Sequence, residues 1–242
     1  MAYESVDNME KSRKQKLDRL EQGKGIIYHE LGHLLGYILA NANEATVLGK
    51  VKECSVGLHK NCVIPKIYIY HIDNMPTDPN DPDYNDRLKE EMNKIKNNTK
   101  NLPRTIAWVC EVYLGCVMQC AFEEVNFSVC AKKTGQLDLT NLSFVRTASY
   151  YTLDITILKP LCEELERFVK SNDILDKLKP YVQRIQNEIS ETDNFQKTYE
   201  GNNLELLYNS VSEILDDDMR TSYLKMIIDY SKKLKPKYEK DT

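Results

Sequence analysis

The 242-residue chain predicts a mainly helical α+β fold, and three observations predict it. Two long apolar runs, residues 26–40 and 104–125, are interrupted by isolated polar side chains, as buried helices are. The chain after Pro160 reads as charged, amphipathic helices. One segment alone has strand character: VIPKIYIYHI, Val63 to Ile72, dense in β-branched and aromatic residues. Composition agrees with a water-exposed globular chain, at 41% hydrophobic and 29% charged, with only 9 Gly and 8 Pro. Against 37 Asp+Glu stand 33 Lys+Arg, and the resulting net charge of −4 argues against a nucleic-acid partner held through its phosphates.

Taken in order, residues 1–23 form a charged tail without a sustained apolar face. Gly23 and Gly25 then open GIIYHELGHLLGYILANAN, which predicts a buried helix over Ile26–Ala40. That run is too short and too polar to span a membrane. Between Thr46 and Ile72 a small sheet or hairpin is expected, with Pro65 marking an edge strand and Cys54–Lys60 in its turn. Asp73 to Asp86 carries Pro76, Pro79 and Pro82 among acidic residues and reads as an exposed loop. A helix over 87–98 ends at NNTKNLP. Arg104 to Val125 predicts a second buried helix, in which Glu111 and Gln119 argue against a membrane span. AKKTGQLDLTNLS is a turn leading into a helix at about 139–158. Helices follow over 160–171, 173–190 and 203–233, the last broken near Asp218. Seven Cys, with no CxxC pair and no signal-peptide pattern, suggest a reducing, cytoplasmic setting in which thiols serve as small core residues.

The chemistry concentrates in the first buried helix. Of only 4 His, two lie in HELGH, at His29 and His33, with Glu30 between them. Positions i and i+4 share a helix face, so both imidazoles can aim at one ion. Glu30, beside the first of them, can reach a zinc-activated water as general base. This is the HExxH pattern of zinc peptidases. Chance alone places it in roughly 0.005 of chains of this composition. The alternative is a pair of core histidines satisfied by backbone carbonyls. The expected fold is therefore a zincin-like HExxH helix bundle with a small sheet and a C-terminal helical extension.

A catalytic zinc takes three protein ligands and keeps one open position. Leu39 stands where the HExxHxxGxxH extension requires its third His, which excludes that class. Glu111, Glu123 and Glu124 remain open as third ligands, as do His59 and His71.

HELGHLLGYIL, HKNCVIP (His59 to Pro65), LGCVMQCAFEEV (Leu114 to Val125) and TGQLDLTNL (Thr134 to Leu142) occur in that order. Together they resemble the peptidase domain of the FtsH-type ATP-dependent zinc metalloproteases, over about residues 24–160. The resemblance implies Zn2+ as cofactor, His29 and His33 as ligands, Glu30 as the catalytic base and Asp138 as the third ligand. Asp138 also precedes a helical stretch, where a plain N-cap would suit it equally. Glu123 and Glu124 match the family's paired Glu, and either can orient a ligand histidine or simply face solvent. The resemblance also implies that an edge strand beside the site pairs with substrate, here carried by Ile67, Tyr68 and Ile69. No P-loop occurs, and Asn141 and Leu142 replace an Ala–Thr pair of the family.

The expected organisation is a tail (1–23), a zinc metallopeptidase domain (24–160) and a helical extension (161–242) packed on it or forming a subdomain. The expected function is hydrolysis of flexible or unfolded polypeptides without a built-in ATPase, aided by a separate ATPase or by self-association. The alternative is a peptidase-like fold that binds zinc and partners with little or no hydrolysis.

Overall fold

The computed structural model describes residues 23–57, 80–132, 135–192 and 196–238. Its helices are α1 (Lys24–Asn41), α2 (Tyr84–Asn98), α3 (Leu102–Glu123), α4 (Phe127–Ala131), α5 (Gln136–Ala148), α6 (Ile155–Ser171), α7 (Ile174–Ser190), α8 (Gly201–Ser212) and α9 (Asp217–Ser231). Two strands, β1 (Glu53–Gly57) and β2 (Gln196–Glu200), pair antiparallel. The mainly helical α+β class is thus observed.

The two apolar runs form the centre. Helix α1 is buried from Ile27 to Ala40 on every face, so no amphipathic stripe is left to see in its sequence. It packs most extensively on α3, and three glycines set how closely. A Cβ on Gly32 would lie 2.5 Å from the Leu114 carbonyl oxygen, and one on Gly36 would lie 2.7 Å from the Cα of Glu111. On the facing helix, a Cβ on Gly115 would run into the His33 ring. The backbones of α1 and α3 therefore meet where HELGH lies, and only glycine leaves the imidazole its space.

Helix α3 begins where Asn101 caps it, accepting from the Arg104 amide at 3.2 Å, with Pro103 in the first turn. It ends at Glu124, whose φ of 52° turns the chain out of the helix. α3 is long and apolar enough to cross a membrane, yet 89% of its most apolar window is buried by the protein's own helices, α1 and α6 foremost.

Several expected boundaries move. The helix expected at about 139–158 divides into α5 and the start of α6, because Ser149 turns extended. Asp154 then caps a new helix by accepting from the Thr156 amide at 2.9 Å. Between them, Tyr151 bridges to Pro236, and the Thr152 amide donates to the Lys235 carbonyl at 2.9 Å. Pro160, taken as a helix start, lies inside α6. The break expected near Asp218 falls at residues 213–216, where Asp216 caps α9. Cys54–Gly57, expected within a turn over Cys54–Lys60, belong to strand β1, and its partner β2 comes from the C-terminal region. Cys54 faces Tyr199 across the pair, and the Ser55 and Thr198 hydroxyls hydrogen-bond at 2.8 Å. The expected strand over Val63–Ile72, with Ile67, Tyr68 and Ile69, lies outside the described residues, as do His59 and His71.

One hydrophobic core runs from Ile27 through Trp108, Val145 and Leu165 to Tyr223 and Leu234. It joins residues on both sides of Pro160, so the helices after that point pack against α1 and α3 as part of the same core.

Candidate metal centre

Three side chains meet between α1 and the first turn of α5. Hydrophobic packing against α3 presents His29 and His33 from one face of α1, and both are buried at 3–4% exposure. Their Nε2 atoms approach to 3.1 Å. Asp138 comes from 109 residues along the chain, and its Oδ2 lies 3.2 Å from His29 Nε2 and 3.6 Å from His33 Nε2. All three donor atoms fall within 4.8 Å of one another. Helix α5 starts at Gln136, so Asp138 sits inside the first turn rather than before it, and Gly135 holds the cap position. Its carboxylate, 28% exposed, points to the histidines while the helix N-terminus favours its charge.

The far side of each ring is also engaged. His33 Nδ1 lies 2.7 Å from Glu111 Oε1, a buried contact across the α1–α3 interface. A proton on Nδ1, donated to that carboxylate, leaves the Nε2 lone pair facing Asp138. His29 Nδ1 lies 3.8 Å from Cys130 Sγ, whose thiol donates to Gln119 Oε1 at 3.2 Å. The same amide's Nε2 donates to Glu123 Oε1 at 2.7 Å. Each imidazole thus turns Nε2 inward to a common point.

The electrostatics follow from burial and from one another. Burial alone would lower the His29 pKa, but its contacts to Asp138 and Cys130 outweigh that and bring it up to about 9. His33 rises above the ordinary histidine value, because Glu111 and Asp138 together overcome its burial. Asp138 is held well below the usual carboxylate range: its burial is outweighed by the two histidine hydrogen bonds. Glu111 moves up, pushed by burial against the pull of His33. Glu30 is the outlier. Burial raises its pKa to about 8 despite the nearby His29 and His33, and its Oε2 is buried without a hydrogen-bond partner among the described residues.

Two imidazoles and one carboxylate form a donor set that can hold a metal ion, and the convergence of three donors fits one. Of the third-ligand candidates, Asp138 joins the histidines. Glu111 instead contacts the outward nitrogen of His33. Glu123 reaches the site only through Gln119 and Cys130, and its carboxylate lies over Gly25 in the first turn of α1. Glu124 lies exposed beyond α3, away from the cluster.

Reasoning from the sequence treated the thiols as core filler and so missed Cys130 and Gln119 as neighbours of His29. The i, i+4 spacing of Cys116 and Cys120 was the available signal, but Cys130 reaches them only through the turn into α4. No protein family, curated protein or solved structure matches this chain.

Proposed function

We propose that the chain is a zinc-dependent metalloendopeptidase, similar in type to the FtsH peptidase domain, that hydrolyses flexible or unfolded polypeptides. The observation that carries this reading is the convergence of His29 Nε2, His33 Nε2 and Asp138 Oδ2 beside Glu30, whose Oε2 is buried without a hydrogen-bond partner among the described residues. His2Asp with one open position is a donor set that catalytic zinc takes. When bound, zinc polarises a scissile carbonyl and makes water acidic enough to be deprotonated near neutral pH.

The chain's own residues supply the rest. Glu111 and Cys130 orient the two rings so that both Nε2 atoms face inward. Asp138 contributes the negative charge that a dication needs at a buried site. Glu30, next to His29 in the chain, would take a proton from a zinc-held water and return it to the departing amine, its carboxyl being deprotonated once a dication sits beside it. Its unpaired Oε2 is the acceptor that this step uses. Substrate would enter from the side of Asp138, the most exposed of the three donors. Flexible chains are the proposed substrates because an extended segment can reach donors that are only 3–4% exposed, as His29 and His33 are, and a separate ATPase is part of the proposal as a source of unfolded chains. A cytoplasmic setting and self-association belong to the same proposal.

The test is a pair of measurements. Purified protein should hold at least one zinc per chain and cleave casein or a mixed peptide library. Glu30→Gln should retain the zinc and lose activity by at least about a thousandfold, the scale of removing a general base together with its charge. Stoichiometric zinc with no cleavage of any peptide would refute the enzyme reading. It would support a second one, a zinc-binding interaction module, which the 3–4% exposure of His29, Glu30 and His33 favours.

A further inference from the structure

The outward nitrogen of His29 faces a second group of metal-binding atoms. Cys116 on α3 and Cys130 on α4 bring their sulfurs together, and with a ring nitrogen of His29 all three donor atoms lie within 4.8 Å of one another. The three residues are buried. His29 Nδ1 and Cys130 Sγ stand 3.8 Å apart. A tetrahedral site with metal–sulfur and metal–nitrogen bonds of ordinary length requires about 3.6 Å between such atoms. Space around the sulfurs is kept by Gly135, since a Cβ there would overlap Cys116 Sγ and stand 3.4 Å from Cys130 Sγ. Cys116, Cys120 and Cys130 form a small cluster separate from the main core, packed by Val125 and Phe127.

We propose that His29 Nδ1, Cys116 Sγ and Cys130 Sγ form a second metal site, for a soft thiophilic cation such as Zn2+, Cd2+ or Cu+. Two thiolates and an imidazole are a soft donor set, whereas His29 Nε2, His33 and Asp138 are a harder one, so the sites differ in the cations they prefer. They share the His29 ring through its opposite nitrogens. A cation on Nδ1 replaces the proton that this nitrogen otherwise offers to Cys130, and binding releases the thiol protons to solvent. The site does not depend on hydrolysis by its neighbour.

Co2+ titration of the reduced protein tests it, because thiolate coordination gives a sulfur-to-cobalt charge-transfer band that imidazole and carboxylate ligands do not. The band should grow to saturation in the wild type and in His33→Ala and Asp138→Ala, which disable only the other site. Cys162→Ser, a thiol on α6, should also retain it, whereas Cys116→Ser and Cys130→Ser should abolish it. A wild type without the band at saturating Co2+, or a band that survives both cysteine substitutions, overturns the proposal. Since a buried serine can unfold the chain, the unaltered protein provides a second measurement. Cd2+ should slow alkylation of Cys116 and Cys130 at least tenfold relative to Cys54, Cys110 and Cys162, mapped by mass spectrometry. Equal slowing at all five, or none, overturns it as well.

Discussion

At the scale of single residues, the contact between His33 Nδ1 and Glu111 is the most informative. It spans two helices, is buried at both ends and leaves Nε2 as the only nitrogen free for a metal. Outer partners of this kind are worth roughly 10–100-fold in metal affinity. Glu111→Gln should therefore weaken zinc binding by about that factor in a chelator-competition titration. Unchanged affinity would remove Glu111 from the site. Asp138 is the complementary case. Asp138→Ala should lower the zinc content by about one ion per chain relative to the unaltered protein, and an unchanged content would assign the third ligand elsewhere. His29, Glu30 and His33 were legible in the sequence because helical spacing alone puts their chemistry together. Asp138 was not, because 109 residues separate it from His29 and only the resemblance of LDL to a family segment pointed there. The role of Glu111 was hidden for a different reason. Sequence shows that a carboxylate lies on the facing helix but not which ring nitrogen it meets.

At the scale of elements, the packing of α1 on α3 decides whether the site exists. Gly115 gives way to the His33 ring, so Gly115→Ala should displace the imidazole and abolish metal binding between His29, His33 and Asp138 while leaving helix content by circular dichroism largely intact. A variant that still binds zinc at wild-type affinity would show that the interface shifts to accommodate a methyl group. Gly36→Ala acts on backbone rather than on a ring, since its Cβ would lie 2.7 Å from the Cα of Glu111. Overpacking of that kind costs about 1–3 kcal/mol, measurable by urea denaturation. The centre of both helices was plain from their apolar runs. Their neighbours were less so. The helix expected through residue 158 ends at Ala148 because residues 151 and 152 pair with the C-terminal segment, a contact no local pattern announces. Strand β1 was hidden in the same way: ECSVG carries little strand signal by itself and is made a strand by Tyr199 and Thr198 from far along the chain.

At the scale of the whole molecule, the main core sets two expectations. Helices after Pro160 share that core with α1 and α3, and β2 completes the only sheet among the described residues. A chain ended at residue 190 should lose cooperative thermal unfolding, and a sharp transition at the wild-type temperature would show that residues 24–160 fold alone. The core also buries several ionisable groups in neutral form. Burial, helped by Glu166 and Glu163, raises the Cys162 thiol from 9.0 to about 12, and burial raises Cys110 further still. An acid whose folded pKa is raised contributes stability that is complete below the unfolded value and is lost as pH climbs toward the folded one. Unfolding free energy should therefore fall between pH 9.0 and about 12, and Cys162→Ala should make that decline shallower. A pH-independent denaturation midpoint across that range would contradict it.

The meeting of Asp138 with His29 has a meaning for the unfolded chain as well. A cation held by both closes a loop of 109 residues, much as a covalent cross-link would. For a disulfide, a loop near that length restricts the denatured ensemble by about 4.7 kcal/mol at 25 °C in the chain-entropy description. Unlike a disulfide, this tie would be reversible and tunable by free-metal concentration, so the protein's resistance to unfolding would become a reporter of how much metal its surroundings supply.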